Sequence, residues 1–371
     1  MRVFFDFYEI ALGKGKSIGI YNYSMSILKT LAEQNDSDVE IVVACSGENY
    51  KEIDNIPNIK LKVISSEYPN FKIRLLWRLI NAIRTAKKEN ADIYFSPKGF
   101  APSLFKRKKK PFIVLTVHDM IPFYYLSNYP NYFSFFENQF ITKSLKHSLT
   151  VANKIITISD FSRQMIYQYH QRKEDIYVVY NGISIIKKHT ELNITSPYIF
   201  AITSKLPHKN MINLLEGYVE YRKLVTNPLP LVVCGITDNE LIGFEEFKPF
   251  IECVHFADDN KFATLFSNAA LFVFLPKIEG FGFPPLESLM YGVPNIVSDI
   301  PVLREVLGES AYFVDPEKPE KIANGIISVL SDPLIGQNIL ENGKKTILDY
   351  SWEKCCDQIL NIFKETINDK K

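Results

Sequence analysis

Glu279-Gly-Phe-Gly-Phe-Pro-Pro-Leu-Glu287 sets two carboxylates eight residues apart around a glycine-containing loop. Such a pair could serve as acid and base, or could hold two hydroxyls of one polar ligand. Upstream, residues 269–276 (AALFVFLP) have the length and Phe/Val content of a buried strand. Downstream, Pro284 and Pro285 suit the first turn of a helix, Leu286, Leu289 and Met290 give it an apolar face, and Gly292 suits its end. A helix start presents backbone N–H groups and partial positive charge, so an anion, most naturally a phosphate, belongs in front of it. Gly282 lets the backbone come close, with Glu279 in the loop and Glu287 in the first helical turn. The plainer alternative is that Glu287 complements the helix dipole and Glu279 is a solvated loop residue.

The elements that must position this loop follow from the pattern along the chain. Residues 3–7 read as a first strand, followed by a loop with Gly13, Gly15 and Gly19 and by Ile20, Tyr23, Ile27, Leu28 and Leu31 at helical spacing. Further strands are expected at 39–44, 60–64, 93–95, 112–117, 154–159 and 177–180, with an amphipathic helix over 73–88 and an aromatic-rich segment over 123–140 that is either an acceptor or membrane contact or simply core. After a polar connection the alternation restarts, with strands at 198–203, 231–234, 271–275 and 295–298 and helices at about 210–225 and 262–270. Strands alternating with helices imply two α/β units of parallel sheet, residues 1–182 and 183–350. Ligands of such sheets bind beyond the carboxyl ends of the strands, so a cleft between two facing units is expected. Residues 351–371 contain an amphipathic helix expected to pack back on the protein.

At 371 residues, 46% hydrophobic and 13% aromatic, the chain has material for two well-packed domains. Its five cysteines are odd in number and lack paired spacing, which favours a reduced, cytoplasmic setting over a disulfide framework or a zinc site. No apolar run reaches membrane-spanning length, and Asp6 and Glu9 interrupt the N-terminal segment where a signal peptide needs apolar residues. The net charge of +1 conceals an asymmetry: residues 1–182 carry +8 (25 basic, 17 acidic) and the remainder −7 (18 basic, 25 acidic). A basic half suits an anionic membrane surface or a phosphorylated acceptor. Nucleic acid is disfavoured, because the basic residues form no recognised binding motif. The densest cluster, Lys106-Arg-Lys-Lys-Lys110, is either membrane-facing or a solvated loop.

The first glycine loop, Gly13-Lys-Gly-Lys-Ser-Ile-Gly19, fits neither a Walker A motif, which would need glycine where Ile10 stands, nor GxGxxG, since its last glycine falls one place late. What survives is a second possible anion site at the start of the first helix.

Taken together, these segments resemble glycosyltransferase family 4, retaining enzymes of the two-domain GT-B fold that use nucleotide sugars. Ser17-Ile-Gly-Ile-Tyr-Asn-Tyr23 is similar to the family's glycine loop and first helix. Thr116-Val-His-Asp-Met-Ile-Pro122 resembles its His-Asp-Leu-Ile-Pro segment, and Leu206-Pro-His-Lys-Asn210 its Pro-Arg-Lys-Asn segment. Residues 158–162, 179–183 and 298–305 match in the expected order, and Glu279 to Glu287 is the family's E-x7-E element. By that resemblance, Glu279 contacts donor-sugar hydroxyls, Glu287 the ribose, and the N–H groups of Phe281, Gly282 and Phe283 the sugar or pyrophosphate. Lys209 neutralises the leaving pyrophosphate, Gly19 admits the first-domain backbone to it, and His118 meets the donor sugar. Read without the family, Lys209 is an ordinary surface lysine and His118 a hydrogen-bonded core histidine.

Two departures accompany the match. Where many members carry a basic residue before the lysine, this chain has Ser204 followed by Lys205, so either Lys205 substitutes or one phosphate contact is missing. The second glycine of the first loop is Tyr21 here. The resemblance implies a metal-independent hexosyltransferase with no cofactor, a nucleotide sugar donor, GDP-mannose first, and a glycan or lipid-linked glycan acceptor in surface polysaccharide synthesis. It would lie in the cytoplasm, either free or peripheral on the inner membrane face. The alternatives are a non-catalytic nucleotide-sugar-binding relative, or another GT-B enzyme such as a phosphorylase or nucleotide-sugar epimerase.

Overall fold

The structure is a computed structural model and describes residues 1–11, 18–102, 106, 108–184 and 197–369. The expected glycines at 13 and 15 lie outside the described residues, as does Arg107.

The chain forms two compact units, one of residues 1–182 with 351–371 and one of residues 183–350. In the first, seven parallel strands, β1 (Arg2–Asp6), β2 (Glu40–Ser46), β3 (Ile59–Ser65), β4 (Ile93–Ser96), β5 (Phe112–Val117), β6 (Lys154–Thr157) and β7 (Ile176–Val178), lie in the order β3-β2-β1-β4-β5-β6-β7. In the second, β8 (Tyr198–Ile202), β9 (Leu231–Cys234), β10 (Ile251–Val254), β11 (Ala269–Phe274), β12 (Asn295–Ser298) and β13 (Tyr312–Val314) lie in the order β10-β9-β8-β11-β12-β13. Both orders reverse direction once, between β1 and β4 and between β8 and β11. These are the switch points at which open α/β sheets bind ligands. The central strands are apolar on both faces because helices cover both: Val3, Phe4 and Phe5 of β1 and Leu271, Phe272 and Val273 of β11 are all buried. Two Rossmann-like units of this kind, completed by a returning C-terminal helix, are the GT-B fold.

That helix, Trp352–Asn368, belongs to the first unit. Ser351 caps it, accepting from Lys354 N at 3.1 Å, and Cys356, Ile359 and Phe363 on its inner face are fully buried. It packs on the helix Ile18–Gln34, and Phe363 meets Phe95 edge-on at 5.2 Å. Buried Lys154 ties down its far end through Glu365 and Asp369, each at 2.8 Å.

Three local expectations need correcting. The helix expected over 73–88 is broken: Phe71–Leu76 and Ala82–Lys88 flank a π-turn, Trp77–Asn81. Within that wider turn the consecutive residues Trp77 and Arg78 both reach inward, to Asp6 and Glu9. The helix expected at 262–270 runs over Asp259–Ser267, because Asp258 caps it by accepting from Lys261 N at 2.8 Å, and β11 starts at Ala269 accordingly. Glu287 is the fifth residue of the helix Phe283–Met290, so it stands in the second turn and not the first.

Candidate active site

In the second unit the two loops at the switch point carry the two charged residues singled out in the sequence. Lys209 follows β8 and Glu279 follows β11, and the Lys209 ammonium donates to a Glu279 carboxylate oxygen. Both side chains are largely buried, at 27% and 14% exposure, so the pair is screened far less than a surface ion pair. The lysine is placed by its backbone. Residues Pro207–Lys209 form a 3-10 turn, Lys209 N donates to Leu206 O at 2.8 Å, and Thr203 Oγ1 donates to Lys209 O at 2.9 Å. Asn210 then turns the chain at φ +60° and donates to Pro316 O at 2.6 Å. Lys277 N donates to His208 O at 2.7 Å, which fastens the second loop to the first.

The glutamate loop ends on Gly282, at φ +97° and ψ +62°, immediately before the helix Phe283–Met290. A Cβ at this glycine would meet Leu303 Cδ2 at 2.5 Å, so conformation and space both select glycine. Pro284 and Pro285 have no N–H, which leaves residues 281–283 as the source of N–H groups in this turn. Phe281 is buried against Phe283 and Tyr350, at ring distances of 5.2 and 5.4 Å, which holds the loop rigid.

Glu287 sits on the same helix with no hydrogen bond or ion pair to its carboxylate among the described residues. Burial raises its carboxyl to about 7, and Asp259 adds to the shift. Neighbouring His208 is pushed down to about 4 by burial, with Lys209 adding and Glu279 opposing, so it is neutral and adds no charge beside the lysine. Ser204 is half-buried, its Oγ accepting from Leu206 N at 3.4 Å, while Lys205 is exposed.

In the first unit, His118 follows β5 and its Nε2–H donates to Pro97 O at 2.7 Å. A carbonyl can only accept, so the proton is on Nε2 and Nδ1 remains an acceptor. Burial pushes the imidazole down to about 4, and Tyr23 packs on it edge-to-face at 4.7 Å. Gly19 is exposed in the first turn of the helix Ile18–Gln34.

The sequence reading missed a charged network at the switch point of the first sheet. Asp6, at the end of β1, accepts from Tyr94 Oη and from Trp77 Nε1 at 3.1 Å. Burial raises it to about 6, against the Tyr94 hydrogen bond and with help from Glu9. Burial also works against ionisation of Glu9, but Arg78 and Lys98 override it and hold that carboxyl below its ordinary value. The only sequence signal was two acids closing an apolar strand, and their partners lie about 70 to 90 residues away.

Residues 183–346 match the family model "Glycosyl transferases group 1", and residues 19–186 match "Glycosyltransferase Family 4". The chain is a GT-B-fold glycosyltransferase related to these families. This glycosyltransferase is 28% identical over 337 residues to the O-antigen chain mannosyltransferase RfbU of Salmonella typhimurium, covering 86% of this chain and 88% of RfbU. It is 27% identical over 377 residues to O-antigen chain mannosyltransferase B of Escherichia coli, covering 93% and 96%. Among solved structures, the sucrose-phosphate synthase of Thermosynechococcus elongatus superposes with a TM-score of 0.74 at 13% identity over 99% of both chains. Anabaena HepE, in complex with UDP-glucose, does so with a TM-score of 0.72 at 16% identity over 98% of this chain and 100% of HepE.

Proposed function

We propose that this glycosyltransferase moves a hexose, mannose first, from a nucleoside diphosphate sugar to a glycan or lipid-linked glycan acceptor, with retention at the anomeric carbon. The observation that carries the reading is the Lys209–Glu279 pair at the second sheet's switch point, on the loop that leads into the helix Phe283–Met290. Breaking the bond between the anomeric carbon and the phosphate oxygen leaves negative charge on the diphosphate and positive character on the sugar. A fixed ammonium and the N–H groups of residues 281–283 answer the first requirement. Glu279, held by the lysine before donor arrives, accepts from sugar hydroxyls in this reading. The partnerless carboxyl of Glu287 takes the ribose hydroxyls.

On the first unit, His118 accepts a donor-sugar hydroxyl through Nδ1, and Gly19 opens the helix start to phosphate. Retention follows from front-face attack: the acceptor oxygen bonds the anomeric carbon as the phosphate oxygen leaves, and the acceptor's proton passes to that oxygen. The two glutamates are binding groups in this scheme and not the nucleophile and acid of a glycosidase. The similarity to two O-antigen mannosyltransferases supports mannose and a polysaccharide acceptor. Incubation with GDP-mannose or UDP-glucose, with nucleotide release measured without acceptor, tests the reading. Slow release of GDP from GDP-mannose is expected, and release from neither donor argues for a binding protein.

A further inference from the structure

The first unit carries an apolar surface that neither its sheet nor the candidate site uses. Along the run Phe71–Asn81, Trp77 turns inward while Phe71, Ile73, Leu76, Leu79 and Ile80 stand 39–57% exposed. On the helix Phe135–Val151, Phe135 and Phe136 are 71% and 82% exposed, and half-exposed Phe140 lies 5.9 Å from the ring of Phe71. That contact joins the two helical stretches into one continuous apolar face, and faces of this kind on a soluble surface mark an interaction site.

Charge decides the occupant. Residues 71–88 contain six Lys and Arg and no Asp or Glu, and Lys72, Arg84, Lys87 and Lys88 are exposed. On the second helix Lys143 and Lys146 are exposed as well; its one acid, Glu137, is exposed beside Phe136 and is engaged in the helix cap with Ser134. Large apolar side chains bordered by basic ones match the boundary between acyl chains and anionic headgroups. Two copies meeting on this face would instead bring two basic borders together.

We propose that this face docks the protein on an anionic lipid surface, with Phe71, Phe135 and Phe136 inserted among the headgroups and the lysines over them. The proposal gives the lipid-linked acceptor read above a place to be met, yet vesicle binding needs neither donor nor transfer, so the two readings fail separately. Of the two membrane candidates in the sequence, the aromatic segment 123–140 contributes Phe135, Phe136 and Phe140 to this face, and the basic cluster Lys106–Lys110 differs from it. Its described lysines are exposed, but Lys110 pairs with Asp92.

The test is flotation of the purified full chain with vesicles of phosphatidylcholine alone and of phosphatidylcholine mixed with phosphatidylglycerol. Binding to the mixed vesicles, weakened by salt, is expected. The triple variant F71S/F135S/F136S lowers it at least about tenfold, while Leu334→Ser, at a 65% exposed leucine of the second unit, leaves it unchanged. If the triple variant does not fold, K72E/K143E keeps every aromatic and is expected to lose binding to the anionic vesicles as well. No binding of the wild type, or binding that both variants retain, overturns the proposal. So does a dimer in sedimentation velocity that the Phe substitutions dissolve, which would make a second copy the occupant.

Discussion

Lys209 and Glu279 stand 70 residues apart in sequence and share a hydrogen-bonded ion pair, because their loops leave neighbouring strands, β8 and β11, on either side of the sheet's reversal. On the proposed function, Lys209→Ala takes a fixed cation away from the leaving diphosphate, and it is expected to lower kcat by about 10²–10³, the usual loss for one such group. Glu279→Ala should abolish transfer while leaving the fold intact, since the pair joins two loops outside the strands. Steady-state transfer kinetics with circular dichroism check both. Near wild-type turnover in either variant would remove the pair from the site.

Glu287 gives a pH-dependent signature. Its carboxyl titrates near 7 in the folded chain against an ordinary 4.5, so the folded state holds more proton between those values. Wild-type stability therefore falls as pH rises from about 5 to about 7. Glu287→Gln has no such loss and should be more stable by ~1–3 kcal/mol above pH 7, with no gain below about pH 5. The same variant should bind nucleoside diphosphate more weakly. Thermal melts across pH read the first effect and titration calorimetry the second; a pH-independent difference in stability would show that Glu287 is not buried as a lone acid.

Gly282→Ala meets two obstacles, a φ of +97° and a 2.5 Å approach to Leu303 Cδ2. A loss of ~1–3 kcal/mol is expected. Adding Leu303→Ala should not restore stability, because the backbone strain persists and a cavity is added. Full rescue in denaturant melts would show that crowding alone selects glycine.

His118 is held neutral by burial, with its imidazole at about 4 against an ordinary 6.5. The folded state thus binds fewer protons, and the stability this contributes is present above pH 6.5 and lost as pH falls toward 4. Its ring resonances should not titrate between about pH 5.5 and 8, and His118→Ala should lower kcat/KM by about tenfold, the value of one lost hydrogen bond to substrate. A ring titrating near 6.5 would contradict the assigned environment.

The legible part of this protein was whatever local chemistry repeats. Apolar runs such as residues 269–274 gave the central strands, Pro284 and Pro285 marked the helix start, and the alternation of elements gave two parallel sheets. Two edge strands were missed, Ile251–Val254, whose apolar run is broken by exposed Glu252, and Tyr312–Val314, and the helix Pro301–Leu307 beside the latter also went unread. The π-turn at Trp77 was hidden because an inward Trp and Arg in succession break the helical period. Glu279 stood out from the sequence by its place in the glycine loop and Lys209 only by family resemblance; their pairing is a consequence of strand order, which no local pattern encodes. The Asp6–Glu9 network was invisible for the same reason.

The central claim is that a nucleoside diphosphate sugar is held by Lys209 and Glu279. A thermal-shift panel of nucleotides and nucleotide sugars on the wild type, Lys209→Ala and Glu279→Ala tests it most directly, since ligand binding raises Tm by linkage. GDP-mannose is expected to raise the wild-type Tm selectively and to leave that of both variants unmoved. A wild type that no nucleotide sugar shifts, or variants that shift as much as the wild type, would contradict it.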